Sequence, residues 1–193
     1  MTILLFSSPR SKSASTLSRD GTHLHILSGE SEDSETTSTT MHSVGLEDHG
    51  EERKIVILGD HKDEKYASLQ ASAVSLSSGD VLITGGIGQE RQVYLFKETN
   101  QARWTRRQPM NHPRSGHASA RVVLGRNEKV LVAGGWIPPG QHPQASVEIY
   151  TPEQDSWQLL PSMPTARVDF TLQVIKCSCN GIISFICRLM IQR

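Results

Sequence analysis

The chain has 193 residues, of which 36% are hydrophobic and only 5% aromatic, a thin supply for one large core. Its 20 basic and 20 acidic side chains cancel, so the formal net charge is zero. Nucleic acids and anionic membranes are bound by concentrated positive surfaces, which this balance does not indicate. We therefore expect neither a nucleic acid nor a membrane as partner.

Residues 1–53 are expected to be mostly disordered. The segment is rich in Ser, Thr and acidic residues, and its run Ser34–Thr40 contains no apolar side chain. Such a segment buries too little apolar surface to offset the entropy lost on ordering. The patch His23–Gly29 could instead be a strand that ends in a turn. The apolar start, Met1–Phe6, is too short for a signal peptide, so a cytoplasmic location is expected.

Residues 54–175 are predicted to form short β-strands. Ile55–Asp60 is a β-branched run closed by a turn signal. Val81–Gly86 and Val130–Gly135 repeat this pattern, and each ends in a pair of glycines. Glycine adopts positive φ without a Cβ clash, so this pattern indicates a buried strand that turns sharply at its end. The runs are too short for stable helices and lack a helical period.

The two Gly-Gly strands belong to one repeated unit. The landmarks that follow them are a second apolar strand, a tryptophan and an arginine: Val93–Phe96, Trp104 and Arg114, then Val147–Tyr150, Trp157 and Arg167. The tryptophans and the arginines share one spacing of 53 residues. A further strand precedes each Gly-Gly strand, within Ala67–Leu76 and Ser115–Leu124. Each unit therefore holds about four short strands, the content of one propeller blade.

These landmarks resemble the kelch repeat, with two copies and part of a third over roughly residues 66–175. The structural residues of the motif are then Gly85, Gly86, Phe96 and Trp104, and Gly134, Gly135, Tyr150 and Trp157. The resemblance implies an all-β fold, an incomplete kelch β-propeller of antiparallel four-stranded blades behind a disordered N-terminal segment. We expect the aromatic residues to fill the space between blades, with ligand stacking as the alternative.

The resemblance also implies a protein-binding module that recognises a partner or substrate peptide, such as the substrate-binding part of a ubiquitin-ligase adaptor. Kelch partners usually dock on the loops of one face, and the matching residues here are Arg114, Ser115, His117 and Arg167. Arginine binds a carboxylate through two parallel hydrogen bonds, so an acidic peptide is the expected partner. The alternatives are arginines that bond carbonyls of their own blade and a His117 that packs at the start of a strand.

No catalytic motif is recognisable. The sequence has no phosphate-binding glycine loop, no Gly-x-Ser-x-Gly and no His-Glu-x-x-His, and its eight histidines combine with no cysteine or acid into a metal-ligand set. We therefore expect no enzymatic activity, no cofactor and no metal site. Two alternatives remain open. One is the non-catalytic propeller region of a larger enzyme of the methyltransferase, oxidase or mutarotase type, and the other is a nonfunctional truncated isoform.

Residues 176–193 are an atypical tail. Val168–Ile175 begins another repeat, but no Gly-Gly strand follows it. The tail holds Cys177, Cys179 and Cys187, expected to be unpaired thiols in a reducing compartment. Because stacked repeats need neighbours, we expect the chain either to be part of a longer product or to oligomerise.

Overall fold

A computed structural model describes residues 10–11, 13–18, 20–31, 37–49, 52–62, 68–97, 103–137, 140, 142–175 and 186–187. In these residues the chain is all-β and contains no helix. No helix in the described ranges is therefore long and apolar enough to cross a membrane. The strands fall into an N-terminal sheet, two four-stranded blades and two small strand pairs.

The N-terminal sheet has five strands: β1 (Arg10–Ser11), β2 (Ala14–Leu17), β3 (His23–Ser31), β4 (Thr37–His49) and β5 (Glu52–Lys62). Strands β2 to β5 form an antiparallel meander in chain order, and β1 pairs with the end of β3. The sequence favoured disorder for residues 1–53, whereas the described parts of this segment are strands. Strand β3 contains the patch His23–Gly29, and β5 spans the expected domain boundary at residue 53.

The two repeated units form two antiparallel blades. Blade A consists of β6 (Ser72–Ser75), β7 (Val81–Thr84), β8 (Val93–Lys97) and β9 (Arg103–Arg107). Blade B consists of β10 (Ala118–Leu124), β11 (Asn127–Ala133), β14 (Val147–Thr151) and β15 (Ser156–Leu160). Each blade is paired in chain order. The predicted fold class, all-β with antiparallel four-stranded blades, is confirmed.

Two short strand pairs accompany blade B. The longer loop of the second unit carries a small hairpin of β12 (Trp136–Ile137) and β13 (His142–Pro143). After blade B, β16 (Val174–Ile175) pairs with β17 (Ile186–Cys187). Cys187 thus lies in a strand, while Cys177 and Cys179 lie outside the described residues.

The glycine pairs that end β7 and β11 allow close packing between successive blades. Their φ angles are 59° and 99° at Gly85 and Gly86, and 63° and 91° at Gly134 and Gly135. A methyl group on Gly85 would lie 2.5 Å from the main-chain oxygen of Arg114, and one on Gly134 would lie 2.6 Å from that of Arg167. Only glycine fits here, because the chain that enters the next blade crosses directly over each strand end.

Each blade packs an aromatic pair against the element before it. The ring centroids of Tyr150 and Trp157 are 4.9 Å apart, and Tyr150 is buried among the aliphatic side chains of blade A. Phe96 and Trp104 show the same 4.9 Å separation. Phe96 is buried in a cluster that includes Leu27 of the N-terminal sheet. The aromatic pairs therefore fill the spaces on the N-terminal side of each blade.

The N-terminal sheet covers blade A much as blade A covers blade B. Ala14 and Leu27 pack against the buried side chains Val81, Ile83 and Phe96. Hydroxyl contacts also recur between neighbouring sheets. The Oγ atoms of Ser72 and Ser119 are 2.5 Å apart between blades A and B, and Thr16 Oγ1 accepts a hydrogen bond of 3.1 Å from the main-chain N–H of Ser75. The N-terminal sheet thus stands in the position of a preceding blade.

On the other side, blade B is covered by the chain that leaves it. Leu172 is buried in the blade B core, and Phe170 and Val174 pack against it. Phe170, Leu172 and Val174 therefore cover part of the apolar side of blade B.

Candidate functional site

The predicted site residues lie at corners, where the chain passes into the first strand of a blade. The central residue of each corner has positive φ: 56° at Gln70, 60° at Gly116 and 49° at Asp169. Successive corners are hydrogen-bonded. Gly116 N–H donates to Gln70 O over 3.0 Å, and Asp169 N–H donates to Gly116 O over 2.8 Å. Positive φ is uncommon outside glycine, so its recurrence marks a shared geometry.

The corners and the loops after the Gly-Gly strands share one end of the blades, which we call the loop face. It comprises the described residues of 85–92, 108–117, 134–146 and 161–170. Gly86 N–H donates to Arg114 O over 2.9 Å, and Gly135 N–H donates to Arg167 O over 2.8 Å. The same kind of contact therefore attaches each loop to the following corner.

Arg114 is fully buried and points into blade B. Its Nη1 donates to the carbonyl oxygens of Gly134 and Ser146 over 2.8 and 3.0 Å. Its Nη2 donates to Glu148 Oε1 over 2.8 Å, in an ion pair whose two side chains are both fully buried. This guanidinium is engaged inside its own blade, as in the alternative considered for it. It is not exposed for contact with a partner.

Glu148 completes the buried pair and has further donors. Its Oε2 accepts bonds of 2.8 Å from the main-chain N–H and the side-chain amide of Asn111, and its Oε1 accepts one of 2.9 Å from His112 N–H. Burial alone would raise the pKa of the Glu148 carboxyl. The bonds from Arg114 and from the two main-chain N–H groups outweigh burial and lower that pKa below its usual value. The carboxylate is therefore ionised at neutral pH.

Ser115 and His117 are buried as well. The main chain of Ser115 exchanges two hydrogen bonds with Trp136, of 2.9 and 3.0 Å. His117 Nε2 lies 2.8 Å from Thr84 Oγ1, which ties the corner to blade A. Burial, and next the positive charge of Arg114, lower the pKa of His117 to about 3. His117 is thus a neutral residue packed at the start of a strand.

Arg167 occupies the equivalent corner position after blade B. Its main-chain N–H donates to Gln144 O over 3.3 Å. Its side chain is half-buried and forms no ion pair within the part of the chain that the structure describes. Of the four residues predicted to bind a partner, Arg167 alone has a side chain with substantial exposure.

Sequence reasoning missed the acid that holds Arg114. Glu148 interrupts the buried strand of Val147, Ile149 and Tyr150, all of which are apolar or aromatic. A charged residue in such a run is rarely buried without a partner. That signal predicts an internal cation, and only the fold identifies it as the arginine 34 residues earlier.

The loop face also exposes aliphatic side chains that the sequence analysis did not single out. Ile87 is 41% exposed, and Ile137 and Val168 are each 37% exposed. Ile87 N–H donates to Leu69 O beside the first corner, and Val168 precedes the corner residue Asp169. The remaining large exposed aliphatics lie elsewhere, namely Leu17, Val123 and Leu159. The loop face is therefore partly apolar.

The described residues contain no group of three His, Cys, Asp or Glu side chains that could hold a metal ion. The buried acid, Glu148, is engaged by Arg114 and by main-chain donors. One buried imidazole, that of His117, contacts Thr84 on one nitrogen, and its other nitrogen has no hydrogen-bond partner in the described ranges.

Low pH is expected to destabilise the protein through His117. An unfolded imidazole titrates near 6.5, whereas the folded one stays neutral down to about pH 3. Between these values the unfolded state binds one more proton, so stability falls as the pH is lowered, by up to about 1.4 kcal/mol per pH unit. Denaturant titrations near pH 7 and near pH 5 should show that wild type loses about 2 kcal/mol more than His117→Phe.

Phenylalanine is a suitable replacement because Phe170 already packs over Gly134 as His117 packs over Gly85. Comparing wild type with His117→Phe cancels the effects of acid on other groups, because those groups are present in both proteins. An equal loss in the two proteins would mean that His117 is not the residue responsible.

Comparison with known families agrees with the repeated corners. Residues 113–164 match the family model described as the Kelch motif, and this range runs from the corner before β10 through β15. No curated protein matches the chain. Kelch repeats usually build β-propellers that serve as non-catalytic interaction modules.

Proposed function

We propose that this chain, which matches the Kelch motif over residues 113–164, is a protein-recognition module whose contact surface is the loop face. The observation that carries the proposal is the group of exposed aliphatic side chains on that face, Ile87, Ile137 and Val168. They extend from loops and corners whose backbone is fixed by hydrogen bonds between blades. Apolar groups on a rigid frame lose little entropy when a partner covers them.

The charge that the partner should carry depends on Arg167. An acidic peptide was expected from two arginines, but Arg114 is fully paired inside blade B. Arg167 keeps a half-buried side chain near Val168, so an acidic group of the partner would have to bind there. We propose that the main attraction is apolar and that any ionic contact is peripheral.

Binding is favoured over catalysis because the buried polar groups of the corners serve the structure. Arg114 and Glu148 are bonded to each other inside blade B, and His117 has a pKa far below neutrality. A general base is most effective with a pKa near the working pH. In finer detail, we propose a cytoplasmic adaptor, such as a ubiquitin-ligase adaptor, in which this region holds the substrate.

The test begins with a peptide library displayed on phage and selected against the purified full chain. Selected peptides are then titrated calorimetrically into three variants, Ile87→Ser, Ile137→Ser and Val168→Ser. Each substitution should weaken binding by about 1 kcal/mol, roughly fivefold, because each removes part of one apolar contact. The triple variant should bind on the order of a hundredfold more weakly than wild type.

Leu159→Ser is the matched control, because Leu159 is 53% exposed but lies on β15, away from the loop face. Its affinity for the selected peptides should equal that of wild type. The proposal fails if the loop-face variants bind like wild type, or if Leu159→Ser weakens binding as much as they do.

A further inference from the structure

An acid and an indole converge over a glycine on the loop face. A methyl group placed on Gly116 would lie 2.6 Å from Asp169 Oδ1 and 3.2 Å from both Cδ1 and Nε1 of Trp136. The Asp169 carboxylate therefore lies close to the Cδ1 and Nε1 atoms of the Trp136 indole. A side chain at position 116 would fill the space between them, so the glycine keeps that space open.

Neither polar group is bonded to another side chain in the part of the chain that the structure describes. Asp169 is exposed, and Trp136 is half-buried. Within the described ranges, the Asp169 carboxylate accepts no hydrogen bond and pairs with no cation, and the Trp136 indole N–H donates no hydrogen bond. Arg167 is only two residues from Asp169 but forms no ion pair with it. The Asp169 carboxylate therefore has no bonding role among the described residues.

The backbone that carries Asp169 is fixed by a hydrogen bond to the preceding corner. Asp169 N–H donates to Gly116 O over 2.8 Å, and Asp169 adopts a positive φ of 49°. Non-glycine residues at positive φ carry a conformational cost and persist where the surrounding structure holds them. The site is thus presented by a fixed corner.

We propose that Asp169 and Trp136 bind an arginine or lysine side chain of a protein partner. A guanidinium or ammonium group supplies the donors that the carboxylate lacks, and the face of an indole ring attracts a cation that lies over it within about 6 Å of the ring centroid. The apolar stem of such a side chain would cover Ile137 and Val168, which flank the two residues in sequence. The inference rests on the proposed function and specifies a basic residue among the apolar residues of the partner.

The site itself is tested by nuclear magnetic resonance with a small probe, the tripeptide acetyl-Ala-Arg-Ala-amide. Titration into the full chain should shift the indole N–H signal of Trp136, which is assigned with Trp136→Phe. The signals of Trp104 and Trp157 should stay in place. The neutral tripeptide acetyl-Ala-Gln-Ala-amide should leave the Trp136 signal unmoved. Equal shifts with both tripeptides, or no shift with either, would overturn the proposal.

The decisive variant is Asp169→Asn, which removes the charge but keeps a residue that tolerates positive φ. It should weaken binding of the arginine tripeptide by roughly threefold to tenfold. Glu153→Gln is the control for net charge, because Glu153 is exposed in the turn between β14 and β15. It should bind like wild type. If both variants weakened binding of the arginine tripeptide equally, the effect would come from net charge, and the proposed site would be wrong.

Peptide selection separates this inference from the proposed function. A consensus with a basic residue, lost when selection is repeated on Asp169→Asn, would support both. A consensus that depends on Ile87, Ile137 and Val168 but has no basic residue, or has an acidic one, would keep the recognition face and overturn the cation site. Failure to obtain any consensus would count against the recognition function, while the tripeptide titration would still decide whether the site binds a cation.

Discussion

Replacing Glu148 with alanine should lower the free energy of unfolding by about 3–5 kcal/mol. The substitution would leave the Arg114 guanidinium buried in blade B without its counter-charge. It would also remove the acceptor for the N–H groups of Asn111 and His112, which hold the corner against β14. Denaturant unfolding followed by tryptophan fluorescence measures the loss, since Trp104 and Trp157 are part of the blades.

Two companion variants show whether burial causes the loss. Glu128→Ala breaks the Arg121–Glu128 pair, whose side chains are 32% and 16% exposed, and should cost about 1 kcal/mol or less. The double replacement Arg114→Met with Glu148→Leu removes both charges and should recover much of the stability lost in Glu148→Ala. If the Glu148→Ala protein were as stable as the Glu128→Ala protein, the buried Arg114–Glu148 pair would not have this stabilising role.

Acid should weaken the same pair. Burial raises the pKa of Glu148, but the bonds from Arg114 and from the main-chain N–H groups of Asn111 and His112 outweigh burial and lower it. The contribution of Glu148 to stability is therefore complete above the unfolded pKa and is lost as the pH falls through the lower folded value. In the Glu148→Ala protein this part of the acid sensitivity should be absent.

Replacing Leu27 with alanine should cost about 2–5 kcal/mol, although Leu27 lies in a polar segment that the sequence marks as disordered. The Leu27 side chain is 1% exposed and packs in one cluster with Val81, Ile83 and Phe96 of blade A. Truncation would leave a cavity between the N-terminal sheet and the blade. Urea unfolding of wild type and Leu27→Ala, fitted to a common slope, gives the difference.

Leu17→Ala is the matched control from the same hairpin, because Leu17 is 50% exposed at the end of β2. It should change stability by less than about 0.5 kcal/mol. If Leu27→Ala were as mild as Leu17→Ala, the N-terminal segment would be the flexible linker that its composition suggests.

The repeated landmarks were enough to predict blades A and B. A Gly-Gly pair after an apolar run needs only local chemistry, namely positive φ and the absence of a side chain. Fold class and strands per unit followed from the spacing. The roles of Arg114 and Glu148 could not follow from it, because their contact joins residues that only the completed blade brings together.

The N-terminal sheet is predicted only in part, for a different reason. Ile55–Asp60 is expected to be a strand, and His23–Gly29 is left open as one. Its strands have neither a Gly-Gly pair nor the later tryptophan, and they are rich in serine, threonine and acids. Ala14 and Leu27 are buried by contact with blade A rather than by a strong local pattern. Tertiary packing overrides composition in such a case, because a few buried side chains suffice when the neighbouring blade is already apolar.

Arg114 belongs to two blades at once, and this affects how the protein can come apart. Its main-chain oxygen accepts the Gly86 N–H bond of blade A, while its guanidinium bonds Gly134 O and Glu148 in blade B. Unfolding of blade B would remove the guanidinium bonds that hold the Arg114 corner. Unfolding of blade A would remove the bond from Gly86 N–H to the main-chain oxygen of Arg114. We therefore expect the two blades to unfold together, so that the strand edges of one blade are not exposed to aggregation while the other blade stays folded.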